Sequence, residues 1–349
     1  MKKFFSVFLA GLMLMGCSTA TSNGAPQATA DAAGSAQPEV EITQEQVDEA
    51  AELVLKVVES AKALDGSDLK ILSPSGAPAL SLIPAEIGGL STEFVDGADP
   101  LQAAMVNPSP EYDVIIAPSN LGMKLAEAGK SSYKMLAAVT WGNLYMVGGE
   151  DAGNEPAKWE KVAAFGEQSV TGLVFRSVYG EQINMDNVTW YSSTAEASAA
   201  LLAGEADVAM LAEPNATAAI GKGKENGKEF AILDDLQARY SNSENGGFPQ
   251  AAMFVKEASY ADKKDQIEAL YNLMKMFSDT MASLPADAIV SVIDSAGGAQ
   301  KYGIPSSEVA GKVWSRLHIN PAKASEHKEE LSRFGELFSI TDIDSCLIG

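Results

Sequence analysis

Two segments of this 349-residue chain follow one plan. Tyr112-Asp113-Val114-Ile115-Ile116-Ala117-Pro118-Ser119-Asn120 and Ala206-Asp207-Val208-Ala209-Met210-Leu211-Ala212-Glu213-Pro214-Asn215 each set an aspartate before an apolar run and close it with a Pro- and Asn-bearing turn that opens a helix. A short apolar run without alternation is buried on both faces, the state of an inner strand in a helix-covered sheet. The same punctuation recurs along the chain. Strands are expected at Leu69–Ser73, Ser91–Asp96, Tyr112–Ala117, Lys134–Thr140 and Asn143–Val147, separated by helical stretches around Ala77–Ile87, Pro100–Val106 and Asn120–Glu127. A second set has strands at Lys161–Phe165, Val188–Tyr191, Val208–Leu211 and Phe230–Leu233, with helices at Val170–Tyr179, Thr194–Gly204 and Asn215–Ile220. After Gly246-Gly247-Phe248-Pro249 one more strand, Gln250–Val255, leads into helices at Lys263–Ser283, Pro285–Asp294, Ser306–Arg316 and Pro321–Leu337. This alternation predicts an α/β protein of two lobes, each a mostly parallel sheet flanked by helices, with the C-terminal helices packed back on the first lobe. Ligands of such sheets bind beyond the carboxyl ends of the strands, where helix N-termini leave N–H groups free, so the two echoing turns are expected to flank one cleft.

Three segments of different character precede this body. Lys2 and Lys3 lead an apolar stretch from Phe4 to Met15 broken only by Ser6, and Gly16-Cys17 follows. The run falls short of the roughly 20 apolar residues of a spanning helix, and its charged start and small-residue end are those of a secretion signal. Leu14-Met15-Gly16-Cys17 resembles the lipobox of bacterial lipoproteins, which implies that residues 1–16 are removed and that Cys17 carries the lipid. Residues 17–42 contain almost no large apolar side chain and are expected to form a flexible tether, whose coil of about 25 residues has a root-mean-square span near 27 Å. From 43 to 66 an amphipathic helix is expected: Thr43 and Gln46 read as a capping box, and Val47, Ala51, Val54, Val58 and Ala61 lie along one face. It either packs on the first lobe or serves as a partner-binding or stalk helix.

The 47 acidic and 25 basic residues give a formal net charge of −22, and loss of Lys2 and Lys3 makes it two units more negative. Such a balance opposes nucleic-acid binding and an anionic membrane surface, and suits a soluble monomer that touches the membrane by its lipid anchor only. Cys346 is the only cysteine besides Cys17, so the fold is expected to rest on its core rather than on disulfides.

Four stretches, two of them the echoing segments, occur in order between Asp68 and Leu337: Lys70-Ile71-Leu72-Ser73-Pro74-Ser75-Gly76-Ala77-Pro78-Ala79, the Asp113-to-Gly122 segment, Trp141-Gly142-Asn143, and Gly204-Glu205-Ala206-Asp207 running on to Glu213-Pro214. Together they resemble the solute-binding proteins of ABC importers, in the branch that serves nitrate, sulfonates, taurine and thiamine precursors. The resemblance implies a two-lobed type II periplasmic-binding-protein-like fold, with residues 67–147 and 248–349 in lobe one, 148–247 in lobe two, and crossover strands between them. It also implies closure on a small solute and its delivery to a membrane permease with an ATPase.

Candidate contacts follow the strand ends. Ser75, Gly76 and Ala77 begin a helix after the first strand, where a hydroxyl and N–H groups suit an anion or carbonyl; the alternative is a turn that simply needs its Gly and Pro. Ser119 and Asn120 stand at the equivalent helix start, as ligand contacts or as N-caps. Where the chain passes between lobes, Trp141 offers a flat apolar face and Asn143 a two-way amide, with plain hinge packing as the alternative. Ser169 and Thr171 are donors in the Phe165–Gly172 loop of lobe two, a loop in which relatives carry more glycine. Glu213 accepts either from a ligand amine or from a hinge N–H, and Gln250 reaches the cleft from the returning crossover. Arg176 suits a surface salt bridge better than an oxyanion.

Catalytic patterns are missing from the sequence. His318 and His327 are the only histidines, and no P-loop, G-x-S-x-G, H-E-x-x-H or EF-hand motif occurs. The expectation is therefore a binding protein without cofactor or metal, not an enzyme. Trp141 with amides at Asn120, Asn143 and Gln250 favours a heterocyclic solute over a sulfonate. A ligand-sensing surface receptor that signals through the same cleft is the alternative.

Overall fold

The computed structural model describes residues 44–241 and 246–348, with side chains from Ala51 onward. The leader, Cys17, the tether and Thr43 lie outside the described residues. Strands β1 (Lys70–Pro74), β2 (Ser91–Val95), β3 (Val114–Pro118), β4 (Tyr133–Thr140), β10 (Ala251–Lys256) and β11 (Ile319–Lys323) form one sheet, in the order β11-β4-β10-β3-β1-β2. Strands β5 (Leu144–Gly149), β6 (Val162–Phe165), β7 (Val188–Tyr191), β8 (Val208–Ala212) and β9 (Phe230–Asp235) form the other, in the order β7-β6-β8-β5-β9. In the first sheet β1 runs parallel to β2 and β3, whereas β10 is antiparallel to both β3 and β4, and β11 to β4. In the second, β6 is parallel to β7 and β8, and β5 is antiparallel to β8 and β9.

The two-lobed α/β architecture is thus present, with most strands of each sheet running one way, β10 and β11 opposed to them in the first and β5 in the second. The reason is topological. β5 and β10 each enter their sheet from the other lobe, so each must run against neighbours whose carboxyl ends point toward that lobe. Set side by side, β2-β1-β3-β10-β4 and β7-β6-β8-β5-β9 are one pattern twice, and the two echoing segments are its third strand in each lobe. The carboxyl ends of β3 and β8 consequently lie at the level of the crossovers.

The helices in chain order are α1 (Gln44–Ala61), α2 (Ala77–Leu80), α3 (Ile83–Ile87), α4 (Asp99–Met105), α5 (Ser119–Glu127), α6 (Val170–Tyr179) and α7 (Thr194–Ala203). They continue with α8 (Asn215–Glu225), α9 (Leu236–Ser241), α10 (Glu257–Asp262), α11 (Lys264–Ser283), α12 (Ala286–Ser295), α13 (Ser307–Val313) and α14 (Lys328–Glu336). The single helix expected at Pro321–Leu337 is not formed. Its first residues belong to β11, whose register shifts between Ile319 and Ala322, and α14 starts only at Lys328. Proline lacks a donor, so it is tolerated in a sheet chiefly on an edge strand or at a bulge, and Pro321 has both.

α1 buries Val54, Val57 and Ala61 against the first lobe, where Val54 and Val57 meet Ile87, Phe277, Met281 and Val292. Each such side chain, withdrawn from water, contributes about 1.5–3 kcal/mol. The packed-helix alternative therefore describes α1. On the other face of the first sheet the core runs without a break through Leu72, Ile115 and Phe254 to Phe248 and Leu236 and on to Leu144, Met146 and Val162 of the second. Asp113, the aspartate of the first echo, has a structural task at the start of β3. It accepts from Lys70 N (3.0 Å), Ser259 Oγ (2.5 Å) and Lys263 Nζ (3.3 Å). Burial pushes its carboxyl up, but these three donors together outweigh burial and hold it below the usual range.

Candidate solute cleft and hinge

At the lobe-one rim the first expected contacts are already engaged by the protein. Ser75 N donates to Val95 O (2.9 Å) and Gly76 N to Tyr302 O (2.7 Å), so the turn after β1 is closed by main-chain carbonyls. Gly76 has φ +102, a conformation that glycine adopts without strain, and Ala77 opens the four-residue α2 beside it. Ser119, Asn120 and Gln250 come together at the other end of the rim, because β10 runs against β3. Ser119 N donates to Gln250 O (3.0 Å), and Gln250 N to Thr140 O (2.9 Å). Neither Ser119 nor Asn120 caps α5 with its side chain. Ser119 Oγ and Asn120 Oδ1 are instead buried without a hydrogen-bond partner.

The outgoing crossover is Trp141-Gly142-Asn143. Trp141 is 9% exposed, its indole N–H donates to Asn320 O (2.8 Å), and its ring meets that of His327 edge-on at 5.1 Å. This is the packed alternative: the ring is turned toward β11 and α14. Gly142, at φ +93, has Phe248 and Gln237 against the position a Cβ would take. Asn143 Nδ2 donates to Glu213 O (3.1 Å), which fixes its amide, since a carbonyl only accepts. Asn143 Oδ1 is therefore an acceptor, and it is buried without a partner. Gln237, which sequence reasoning did not single out, holds the start of β5 like a missing strand. Its Oε1 accepts from Leu144 N (2.7 Å) while its Nε2 donates to Leu144 O (3.0 Å).

Glu213 follows β8, and the Glu213-Pro214 peptide is cis. Its side chain is completely buried, and it accepts from Thr217 N (3.1 Å), Thr217 Oγ1 (2.8 Å) and Arg316 Nε (2.6 Å). Arg316 belongs to the single turn Trp314–Arg316 after α13, whose neighbours Val313, Trp314 and Leu317 lie in the lobe-one core. The pair consequently ties one lobe to the other. Beside it Tyr145, on β5, donates to Arg316 O (3.1 Å) and lies 3.0 Å from His318 Nε2. Arg316 is another residue that the sequence did not point to; it stands 103 positions from Glu213, for which the sequence offered only a ligand amine or a hinge N–H as donor.

The lobe-two loop satisfies itself. Ser169 Oγ donates to Gly166 O (2.7 Å) and contacts Thr171 Oγ1 at 2.9 Å, and Thr171 Oγ1 donates to Phe165 O (3.0 Å). Arg176 pairs with Glu167 at 2.5 Å and stacks over Trp190 at 4.9 Å, the surface role favoured for it. The structure therefore gathers Ser119, Asn120, Asn143, Glu213 and Gln250 around the crossovers. It leaves Ser75–Ala77 and Ser169–Thr171 in self-closed turns.

Two lobes of repeated topology, linked by crossovers between their sheets, define a bilobal binding-protein fold. Among solved structures that share it is an ABC transporter protein from Parabacteroides distasonis, with 20% identity and a TM-score of 0.62, covering 80% of this chain and 95% of that one. The periplasmic aliphatic sulphonate binding protein SsuA from Escherichia coli matches with 14% identity and a TM-score of 0.58, over 82% and 93% of the two chains. The periplasmic nitrate-binding protein NrtA from Synechocystis PCC 6803 matches with 12% identity and a TM-score of 0.51, over 80% and 87%. The chain has the fold of ABC-transporter substrate-binding proteins, as its sequence resemblance implied. No protein-family model matches the sequence, and no curated protein matches it. Among the described residues no helix is long and apolar enough to cross a membrane.

Proposed function

We propose that this protein is the extracytoplasmic solute-binding lipoprotein of an ABC importer, anchored through Cys17 and passing a small organic solute to a permease with its ATPase. The observation that supports the reading is that Ser119 Oγ and Asn120 Oδ1, at the helix start after β3, and Asn143 Oδ1, on the outgoing crossover, are buried oxygens without a hydrogen-bond partner in a chain that has the fold of substrate-binding proteins. A buried polar atom left unpaired costs about 1–3 kcal/mol, which a solute donating to it recovers. The chemistry of the rim narrows the class. The N–H groups of Ser75, Gly76, Ser119 and Ser169 are engaged, and Arg176 and Arg316 are neutralised by Glu167 and Glu213. Such a rim favours a solute that brings N–H donors, such as a nitrogen heterocycle, over an oxyanion.

The test is a thermal-shift screen of the full chain against amino-substituted nitrogen heterocycles, sulfonates and nitrate. A solute at 100 times its dissociation constant adds about 2.7 kcal/mol to stability. The expected result is a shift with a heterocycle that Asn143→Ala abolishes; no shift with any class sinks the proposal, and a shift with sulfonates alone sinks the donor argument. Deletion of the gene should lower uptake of the bound solute, whereas unchanged uptake would favour the signalling receptor.

A further inference from the structure

His318 and His327 are the only histidines of the chain, and the fold brings both to one cavity. It measures about 270 Å³ and is walled by Trp141, His318, His327, Glu330 and Arg333 beside the Gly246-Gly247 backbone. Of the expected cleft contacts Trp141 lines it, whereas Ser75–Ala77, Ser119–Asn120, Asn143, Ser169–Thr171, Glu213 and Gln250 do not. Its volume is just under the roughly 300–1,000 Å³ of pockets for drug-sized ligands, which leaves room for a molecule of about ten non-hydrogen atoms.

The charges along its wall are complementary but kept apart. Glu330 and Arg333 stand three apart on α14, which places their Cβ atoms about 5–6 Å apart, and His327 immediately precedes the helix. Glu330 has His327 Nδ1 at 3.6 Å and makes no ion pair with Arg333. Arg333 lies over the Tyr240 ring at 5.9 Å and makes no ion pair among the described residues, in a chain with 47 acidic residues to 25 basic ones. His318 adds a neutral acceptor. The single hydroxyl hydrogen of Tyr145 goes to Arg316 O, because a carbonyl only accepts; His318 Nε2 must then donate to the tyrosine oxygen. That tautomer leaves Nδ1 with a free lone pair.

A cation, a carboxylate, a neutral acceptor and an indole face are what a free α-amino acid presents in reverse. We propose that this cavity is a second ligand site that takes an α-amino acid, its carboxylate on Arg333, its ammonium between Glu330 and His318 Nδ1, and its side chain against Trp141. The i, i+3 spacing of Glu330 and Arg333 matches two opposite charges on one carbon.

Isothermal titration of the full chain with each of the twenty proteinogenic amino acids tests the site. At least one is expected to bind with unit stoichiometry, and its deaminated and decarboxylated analogues at least tenfold more weakly. Arg333→Gln and Glu330→Gln should each raise the dissociation constant tenfold or more, while Asn120→Ala leaves it unchanged. Should Arg333→Gln fail to fold, Glu330→Gln and the analogues decide. Binding of no amino acid, equal binding of an analogue, or loss of binding in Asn120→Ala would each overturn the proposal, the last by assigning the ligand to the cleft.

Discussion

Replacing Arg316 with methionine keeps most of the side-chain stem and removes its charge, so it isolates the tie between the lobes. Glu213 then keeps its full desolvation without its counter-ion. Its side chain is 0% exposed and that of Arg316 33%. Deleting one member of a buried ion pair costs about 3–5 kcal/mol. A third of Arg316 is in water, which already screens part of the attraction, and the two bonds from Thr217 persist, so the cost here is about 2–3 kcal/mol. With an unfolding entropy of about 2.1 cal/mol/K per residue, a body of about 300 residues shifts by roughly 1.6 °C per kcal/mol, so Tm should fall by about 3–5 °C. Calorimetry of the full chain at pH 7 measures it. Adding Glu213→Gln to Arg316→Met should restore much of the loss, since the neutral amide no longer needs a cation, and the cycle should give a coupling of at least about 1 kcal/mol. A fall below 1 °C, or strict additivity of the two substitutions, would refute the tie.

Burial holds the His318 imidazole below its ordinary 6.5, although Asp235 acts in the opposite sense. The unfolded chain therefore takes up the proton first: this contribution is intact above about pH 6.5 and is lost as pH falls toward the depressed native value. His318→Asn, which tolerates the residue's φ of +45, should flatten the decline of Tm between pH 7 and 5.5; an unchanged slope would count against burial as its source. In Gly247→Ala the new methyl falls on the Trp141 carbonyl oxygen, a backbone atom that cannot swing aside. The expected loss is about 1–3 kcal/mol in urea unfolding, and an unaltered midpoint would show that the crossovers are not packed as described. Cys17→Ser should release the protein from the membrane fraction; retention there would remove the lipid anchor from the reading.

The parts of the fold that could be read from the sequence are those whose signal is local. The apolar run Val208–Leu211 and the helix Val170–Tyr179 carry their own punctuation, and the structure places both within a residue of expectation. Pro321 carries a signal with two meanings, since proline opens helices and also sits on sheet edges; only the neighbour β4 decides between them. The direction of β5 and β10 is likewise a property of the other lobe. For the site the same division holds. Ser119, Asn120 and Asn143 were found as polar residues at helix starts and crossovers. That the N–H groups of Ser75 and Gly76 are taken by Val95 and Tyr302, or that Glu213 is met by Arg316, depends on partners up to 226 positions away, as between Gly76 and Tyr302.

Two plates joined by a pair of ribbons lying side by side can fold toward each other, and they can also twist and slide. The contacts of Arg316 with Glu213 and of Tyr145 with Arg316 add a tie from a different part of the chain, beside the outgoing ribbon, where Glu213 and Asn143 also bond to each other. A change in the angle between the plates must therefore either pivot close to this tie or break it.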